Sequence, residues 1–275
     1  MPLWVVATPI GNLADVSPRA RETLARATLV LCEDTRRTRT LYQALGLAPP
    51  RLLSCYAQNE ITRVDEALAA LSSGADVALV TDAGTPALSD PGGRIVEAAH
   101  DAGIAIHPVA GPSSVAAALS VSGFNATPFQ FLGFPPRRAG DRRRFVTDAQ
   151  RWPGTVVVLE SARRIAPLLD DWAAIDPDRG VVIARELTKV HEEILRGTLA
   201  TISRGPFLGE VVVVLGPRVA EPTVSSESVG EGLGAIAGAL AQRWGASKKE
   251  AYAALVEIER ARASRSSASG RGSGS

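Results

Sequence analysis

The sequence predicts an α/β protein made of two αβ segments followed by a small helical appendage. Three observations lead there. Short β-rich runs alternate with helical patterns from residue 3 to residue 216. The runs are largely apolar, as strands covered on both faces are. Loops rich in glycine, proline and serine recur where those runs end.

In the first segment the strand-like runs are LWVVAT (3–8), TLVLCE (28–33), RLLSCY (51–56), DVALVTD (76–82) and IAIHPVA (104–110). Ser17 before Pro18 is a helix start, with a hydroxyl cap and a proline in the first turn. Over 61–74, Val64, Leu68 and Leu71 recur at helical spacing and Gly74 offers a stop. Strands separated by helices imply a mostly parallel sheet covered on both faces. The second segment has runs at 129–134, 155–161, 180–186, 191–197 and 209–216, with helices at 142–152 and 162–175. The loops GFNATP (123–128) and GFPPRRAG (133–140) punctuate the boundary, so the domains are placed at 1–125 and 126–216. Residues 217–228 lack apolar periodicity and read as a linker. The appendage spans 229–263, with helices around 230–244 and 248–262. Ser247 and Glu250 form a capping box for the second of these. The tail 264–275 is low in complexity and reads as flexible.

A chain of 275 residues that is 45% hydrophobic can fill one large core or two ordinary ones. The net charge of +1 means that any grip on nucleic acid must come from local basic patches. Cys32 and Cys55 do not make a disulfide framework, and His100, His107 and His191 have no metal-site spacing. The start has no basic region ahead of a long apolar core, and no apolar run is long enough to cross a membrane. The expectation is a soluble, cytoplasmic protein.

No G-x-G-x-x-G follows a strand, and P-loop, H-E-x-x-H and G-x-S-x-G motifs are absent. The informative features are three small-residue loops: TPIGN (8–12), DAGTP (82–86) with SDPGG (89–93), and AGPSS (110–114). Each alone is an ordinary strand-to-helix turn. Together, at one edge of a parallel sheet, they mark the place where open α/β sheets bind ligands. Glycines there allow close backbone approach, and unpaired N–H groups can hold a carboxylate or a ribose.

With these loops go VATPIGNLADVSPRA at the start, EDTRRT (33–38), TDAGTPALSDPG (81–92), GPSS (111–114), RELTKVHEE (185–193), RGTL (196–199) and GEVVVV (209–214). In that order the chain resembles the 16S rRNA cytidine 2′-O-methyltransferase subfamily of the tetrapyrrole methylases, through about residue 216. Two stretches depart from the subfamily pattern. CYAQNE (55–60) lacks the usual histidines, and LESARR (159–164) has Leu159 and Ala162 where an aromatic and a proline are usual. The resemblance implies a two-domain class III methyltransferase, often a homodimer, with S-adenosylmethionine in a cleft between the domains. By motif, the cofactor residues implied are Pro9, Gly11, Asn12, Asp82, Ala83, Gly84, Ser113 and Ser114 from the first domain. Leu159, Glu160 and Thr188 are implied from the second. Asp82 could accept from a ribose or an ammonium, or could close an Asx turn before Ala83-Gly84.

The reaction implied moves a methyl group from sulfonium to alcohol oxygen in line, with no metal required. The substrate implied is a decoding-region cytidine of 16S rRNA, in the naked RNA or the 30S subunit. Positioning carries much of such a reaction. A weak hydroxyl nucleophile also gains from a proton acceptor. The candidates are Glu60, Lys189 and His191, and each has an ordinary alternative. Glu60 could cap the helix after it. Lys189 could hold a phosphate or pair with Glu192, and His191 could be structural. Two arginine clusters fit an RNA partner: Arg36, Arg37 and Arg39, and then Arg137, Arg138, Arg142, Arg143 and Arg144. A solvated helix face balanced by Asp141 and Asp148 would carry the same residues. Lys248 and Lys249 could add an RNA contact or lie at a dimer contact. The competing readings are a corrin or porphyrin methylase of the same fold and a noncatalytic RNA-binding relative.

Overall fold

A computed structural model describes residues 1–218, 233–245 and 247–269. Met1–Val219 form one compact unit and Ala220–Ser275 a second.

The first unit opens with β1 (Leu3–Val6), α1 (Pro18–Arg26), β2 (Leu29–Cys32), α2 (Thr35–Ala44), β3 (Arg51–Ser54), α3 (Glu60–Ser72), β4 (Val77–Val80), α4 (Gly93–Asp101) and β5 (Ile106–Val109). The five strands form one parallel sheet in the order β3-β2-β4-β1-β5. Every residue of β2 and β4 is buried, because helices cover both faces of the sheet centre. The edge strands β3 and β5 are more exposed. Ser17 caps α1 by accepting from the Ala20 N–H, with Pro18 at its first position. One face of the sheet buries Leu3, Leu31, Leu79 and Ile95, and the other buries Val30, Tyr42, Val80 and Val109.

α5 (Ser114–Ser122) leads into β6 (Phe129–Phe131), α6 (Ala139–Gln150), β7 (Thr155–Ser161), α7 (Ile165–Ala173), β8 (Gly180–Arg185), β9 (Glu193–Thr198) and β10 (Glu210–Leu215). The second sheet runs β6-β7-β10-β8-β9. Only its β6–β7 pair is parallel; the other three are antiparallel. For β8 and β9 the connection explains this, since no helix lies between them and a parallel crossover needs about a dozen residues or more. Ile165, Leu168, Leu169 and Trp172 of α7 bury against valines of β7, β8 and β10. Arg179 is buried at the sheet end. Its guanidinium donates to Gly216 O (2.8 Å), Gln150 Oε1 (2.9 Å) and Gly154 O (3.0 Å).

The second unit contains α8 (Leu233–Trp244) and α9 (Lys248–Ser269), which bury Ala237, Ala241 and Ala251 against each other. Ser247 and Glu250 make the expected capping box: Ser247 N donates to Glu250 Oε2 (2.9 Å) and Ser247 Oγ accepts from Glu250 N (3.3 Å). α9 continues to Ser269, beyond the expected end at 262 and into the segment read as flexible tail. No glycine or proline follows Lys248 until Gly270, so nothing in the chain breaks the helix earlier. The expected linker (217–228) lies outside the described residues from 219 onward, as do residues 229–232 and the last of the tail, 270–275.

Candidate active site

A cavity of about 600 Å³ opens where loops after β1, β2, β4 and β5 face the ends of β7 and β8 and the start of β10. The parallel register brings the first set of loops together. Thr8 and Gly84 pair through both backbone groups, Thr8 N to Gly84 O at 2.9 Å and Gly84 N to Thr8 O at 3.0 Å. Gly84 adopts φ +88°, a left-handed conformation that side chains resist. Ser113 caps α5 by accepting from the Ala116 N–H at 3.4 Å.

Seven of the cofactor residues expected from the sequence line the cavity: Asp82, Ala83, Gly84, Ser113, Ser114, Leu159 and Glu160. Asp82 does not close an Asx turn. Its Oδ1 accepts from the Asp34 N–H (3.0 Å), and its Oδ2 lies 3.5 Å from Arg37 Nε, so it ties the β2 loop to the β4 loop. Pro9, Gly11, Asn12 and Thr188 do not line the cavity. The last three meet one another instead: Asn12 N donates to Thr188 Oγ1 (3.1 Å), and a Cβ on Gly11 would stand 2.9 Å from that oxygen and would strike Lys189. Asn12 Oδ1 is occupied by the Ala14 N–H (3.0 Å). The β1 loop thus clasps the segment after β8. In that segment Glu186 and Thr188 both hold positive φ, at +47° and +66°.

The proton-acceptor candidates fare differently. Glu60 is buried outside the cavity, and its Oε1 accepts from Gly92 N (3.0 Å) and Arg94 N (2.7 Å). It caps α4 rather than the helix it begins, because a carboxylate satisfies the unpaired N–H groups of that terminus. His191 is exposed and also outside the cavity. Lys189 lines the cavity, with Nζ 3.0 Å from Glu186 Oε1 and 3.4 Å from Glu210 Oε2. Burial alone would lower its pKa, but the Glu186 hydrogen bond and the two negative charges outweigh burial and raise it. Lys189 is therefore held in its cationic form by its acidic neighbours. Its expected partner, Glu192, instead accepts from the Thr188 N–H.

The arginine clusters also divide. Arg36 is bound to Asp34 through its backbone N–H (2.8 Å) and its guanidinium (2.6 Å), and these bonds hold the Asp34 carboxyl at about 2. Arg142 forms a mostly buried pair with Asp171 (2.7 Å) that fastens α6 to α7, and Arg144 pairs with Asp141. These three are engaged. Arg39, Arg137, Arg138 and Arg143 are exposed and form no ion pair among the described residues. Arg37 lines the cavity.

Several lining residues were not singled out from the sequence: Glu33, Asp34, Ser89, Asp90, Phe134, Glu186 and Glu210. Most stand inside quoted motifs (EDT, SDP, RELT), so position in a motif was their only signal. They make the cavity acidic. Glu33, Asp34, Asp82, Asp90, Glu160, Glu186 and Glu210 face two cations, Arg37 and Lys189. Burial raises the carboxyls of Glu33, Asp82 and Asp90; for Glu33 and Asp90 the Asp82 charge adds to it. A cavity of this sign and size suits a cationic ligand whose carboxylate end meets the Ser113 helix start.

Residues 2–203 match the model of the tetrapyrrole (corrin/porphyrin) methylases. The chain is 48% identical over 201 residues to the ribosomal RNA small subunit methyltransferase I of Xylella fastidiosa strain Temecula1, 73% of each chain. It is 42% identical over 229 residues to the protein of that name from Mycobacterium tuberculosis strain CDC 1551, covering 82% of this chain and 80% of the relative. Among solved structures, the uroporphyrin-III C-methyltransferase of Thermus thermophilus complexed with S-adenyl homocysteine is similar. It has a TM-score of 0.55 and 20% identity, over 78% of this chain and 97% of the other. The chain belongs to the tetrapyrrole methylase family, in the branch of the small-subunit methyltransferases I. It is a methyltransferase that uses S-adenosylmethionine.

Proposed function

We propose that the protein transfers a methyl group to a ribose 2′-hydroxyl of a decoding-region cytidine in 16S rRNA, in the naked RNA or the 30S subunit. The observation that carries this is the charge layout: an acidic cavity lined by Phe134, with exposed arginines in the loop and α6 that follow it (Arg137, Arg138, Arg143) forming no ion pair among the described residues. The relatives' names supply the class of RNA. The same resemblance carries a homodimer and a cytoplasmic setting.

S-adenosylmethionine supplies a methyl group already activated on sulfonium. The acidic lining favours that positive charge over neutral competitors. Ser113 and Ser114 at the start of α5 suit the methionine carboxylate, and Asp82, Ala83 and Gly84 present backbone and carboxylate beside it. Leu159 and Leu187 offer apolar surface for the adenine. The hydroxyl proton goes to a cavity carboxylate. Glu33, Asp82 and Asp90, with pKa values raised by burial, are suited to receive it. Phosphates stay outside with Arg137, Arg138 and Arg143, since the acidic interior repels them.

Incubation with methyl-labelled S-adenosylmethionine and 30S subunits, naked 16S rRNA or uroporphyrinogen tests this. Label in RNA, stable to alkali within one dinucleotide, is the expected result. Label only in the tetrapyrrole would overturn it, and tight RNA binding without label would make the protein a noncatalytic binder.

A further inference from the structure

Phe134 is an aromatic side chain left 58% exposed at the edge of the cavity it helps to line. Its loop is not loose. Leu159 N donates to Gly133 O (2.9 Å), and Arg164 Nη2 donates to Pro135 O (2.6 Å) while pairing with Glu160 (2.9 Å). A Cβ on Gly133 would stand 3.0 Å from Ser89 Oγ, so this loop touches the one carrying Leu88, a second partly exposed apolar residue of the cavity lining. A rigidly mounted, solvated ring at the mouth of a cavity satisfies no internal packing need. It is the arrangement that single-stranded nucleic acid uses for base stacking. Charge supports this occupant over a peptide or a second copy of the chain. Arg137 and Arg138 stand three and four residues after Phe134, beyond Pro135 and Pro136, and Arg163 adjoins Arg164; all three are exposed and form no ion pair among the described residues. The cavity beneath is acidic, so a nucleotide enters base and ribose first, with its phosphates at the arginines.

We infer that Phe134 is the stacking platform for the base of an unpaired RNA nucleotide, with Leu88 facing it, and that this contact presents the adjoining ribose to the methyl donor. The inference rests on the ribosomal RNA reading above. An alkyl residue can fill the space of the ring but cannot stack, so Phe134→Leu and Phe134→Trp separate packing from stacking.

The test is steady-state methylation of unmodified small subunits by the parent, Phe134→Trp, Phe134→Leu and Phe134→Ala, with cofactor affinity by calorimetry and folding by thermal melting. Phe134→Trp should stay within about threefold of the parent. Phe134→Leu and Phe134→Ala should both lose about tenfold or more in kcat/KM for RNA, with the same cofactor Kd. Equal activity of the Leu and Trp variants would overturn the stacking role. Cofactor affinity falling in step with activity would assign the ring to the cofactor instead. If the parent itself places no label in RNA, the ribosomal RNA reading fails and the platform with it; label that is indifferent to the ring sinks the platform alone.

Discussion

Glu33, Asp82 and Asp90 share the cavity lining, and burial raises all three carboxyls above their ordinary values. The folded protein therefore binds these protons more tightly than the unfolded chain does. The stability that follows is present below the ordinary carboxylate range and is lost as pH rises through the raised values. At neutral pH the charges oppose folding. Glu33→Gln and Asp90→Asn should raise the melting temperature above pH 6, with a gain that shrinks as pH falls through the carboxylate range, while methyl transfer declines. Melting curves from pH 4 to 8 check this, and a gain independent of pH would contradict it. Lys189 has a raised pKa too, but there the protonated form that the fold favours is the charged one. Its raised pKa keeps it cationic at any working pH, so the pH–rate profile should show no basic limb from lysine near neutrality. Lys189→Met should then leave the acidic limb of that profile in place, because the titrating groups are the carboxylates. Loss of that limb in the variant would place the proton acceptor at Lys189.

Among the elements, α7 shows how finely the core is specified. Trp172 is fully buried, yet its indole N–H has no hydrogen-bond partner. Its contribution is volume, set against the cost of a desolvated donor. Trp172→Ala should cost about 3–5 kcal/mol and Trp172→Phe less than about 1.5 kcal/mol, read from denaturant midpoints. Equal losses would mean that the indole edge, not the bulk of the ring, fills the core. The strands and the cavity loops were legible in the sequence because apolar runs and glycine punctuation are local signals. β2 and β4 read as continuous apolar runs and are buried throughout. The antiparallel second sheet was not legible, since an apolar run does not encode the direction of its neighbour. Glu60 was misread for a related reason. Its partners, Gly92 and Arg94, lie over thirty residues ahead, and only the packing of α3 on α4 brings them within reach. The Gly11–Thr188 contact joins positions more distant still, so motif spacing placed both residues near the site without showing that they hold each other.

At the scale of the whole molecule, a net charge of +1 conceals a separation of charge, with carboxylates in the cavity and, in the segment after its lining residue Phe134, exposed arginines that form no ion pair among the described residues. The arginine clusters look uniform in sequence, but their members do different work. Arg142 and its partner Asp171 are only 14% and 16% exposed, and removing one member leaves the other charge uncompensated. Arg137, Arg138 and Arg143 form no ion pair among the described residues. Two variant sets separate these roles. Arg142→Ala should lower stability by about 3–5 kcal/mol, with the slope of RNA affinity against salt unchanged. Replacing Arg137, Arg138 and Arg143 by Ala should leave melting and cofactor affinity near the parent's. It should also flatten the log–log salt slope of RNA binding by about 0.7 for each phosphate that is no longer neutralised. Filter binding to 16S rRNA from about 50 to 200 mM salt reads both slopes over the range in which counterion release dominates. A triple variant with the parent's slope would move the RNA-binding face away from this side of the cavity, whereas a flattened slope in Arg142→Ala would mean that the buried pair opens to bind phosphate.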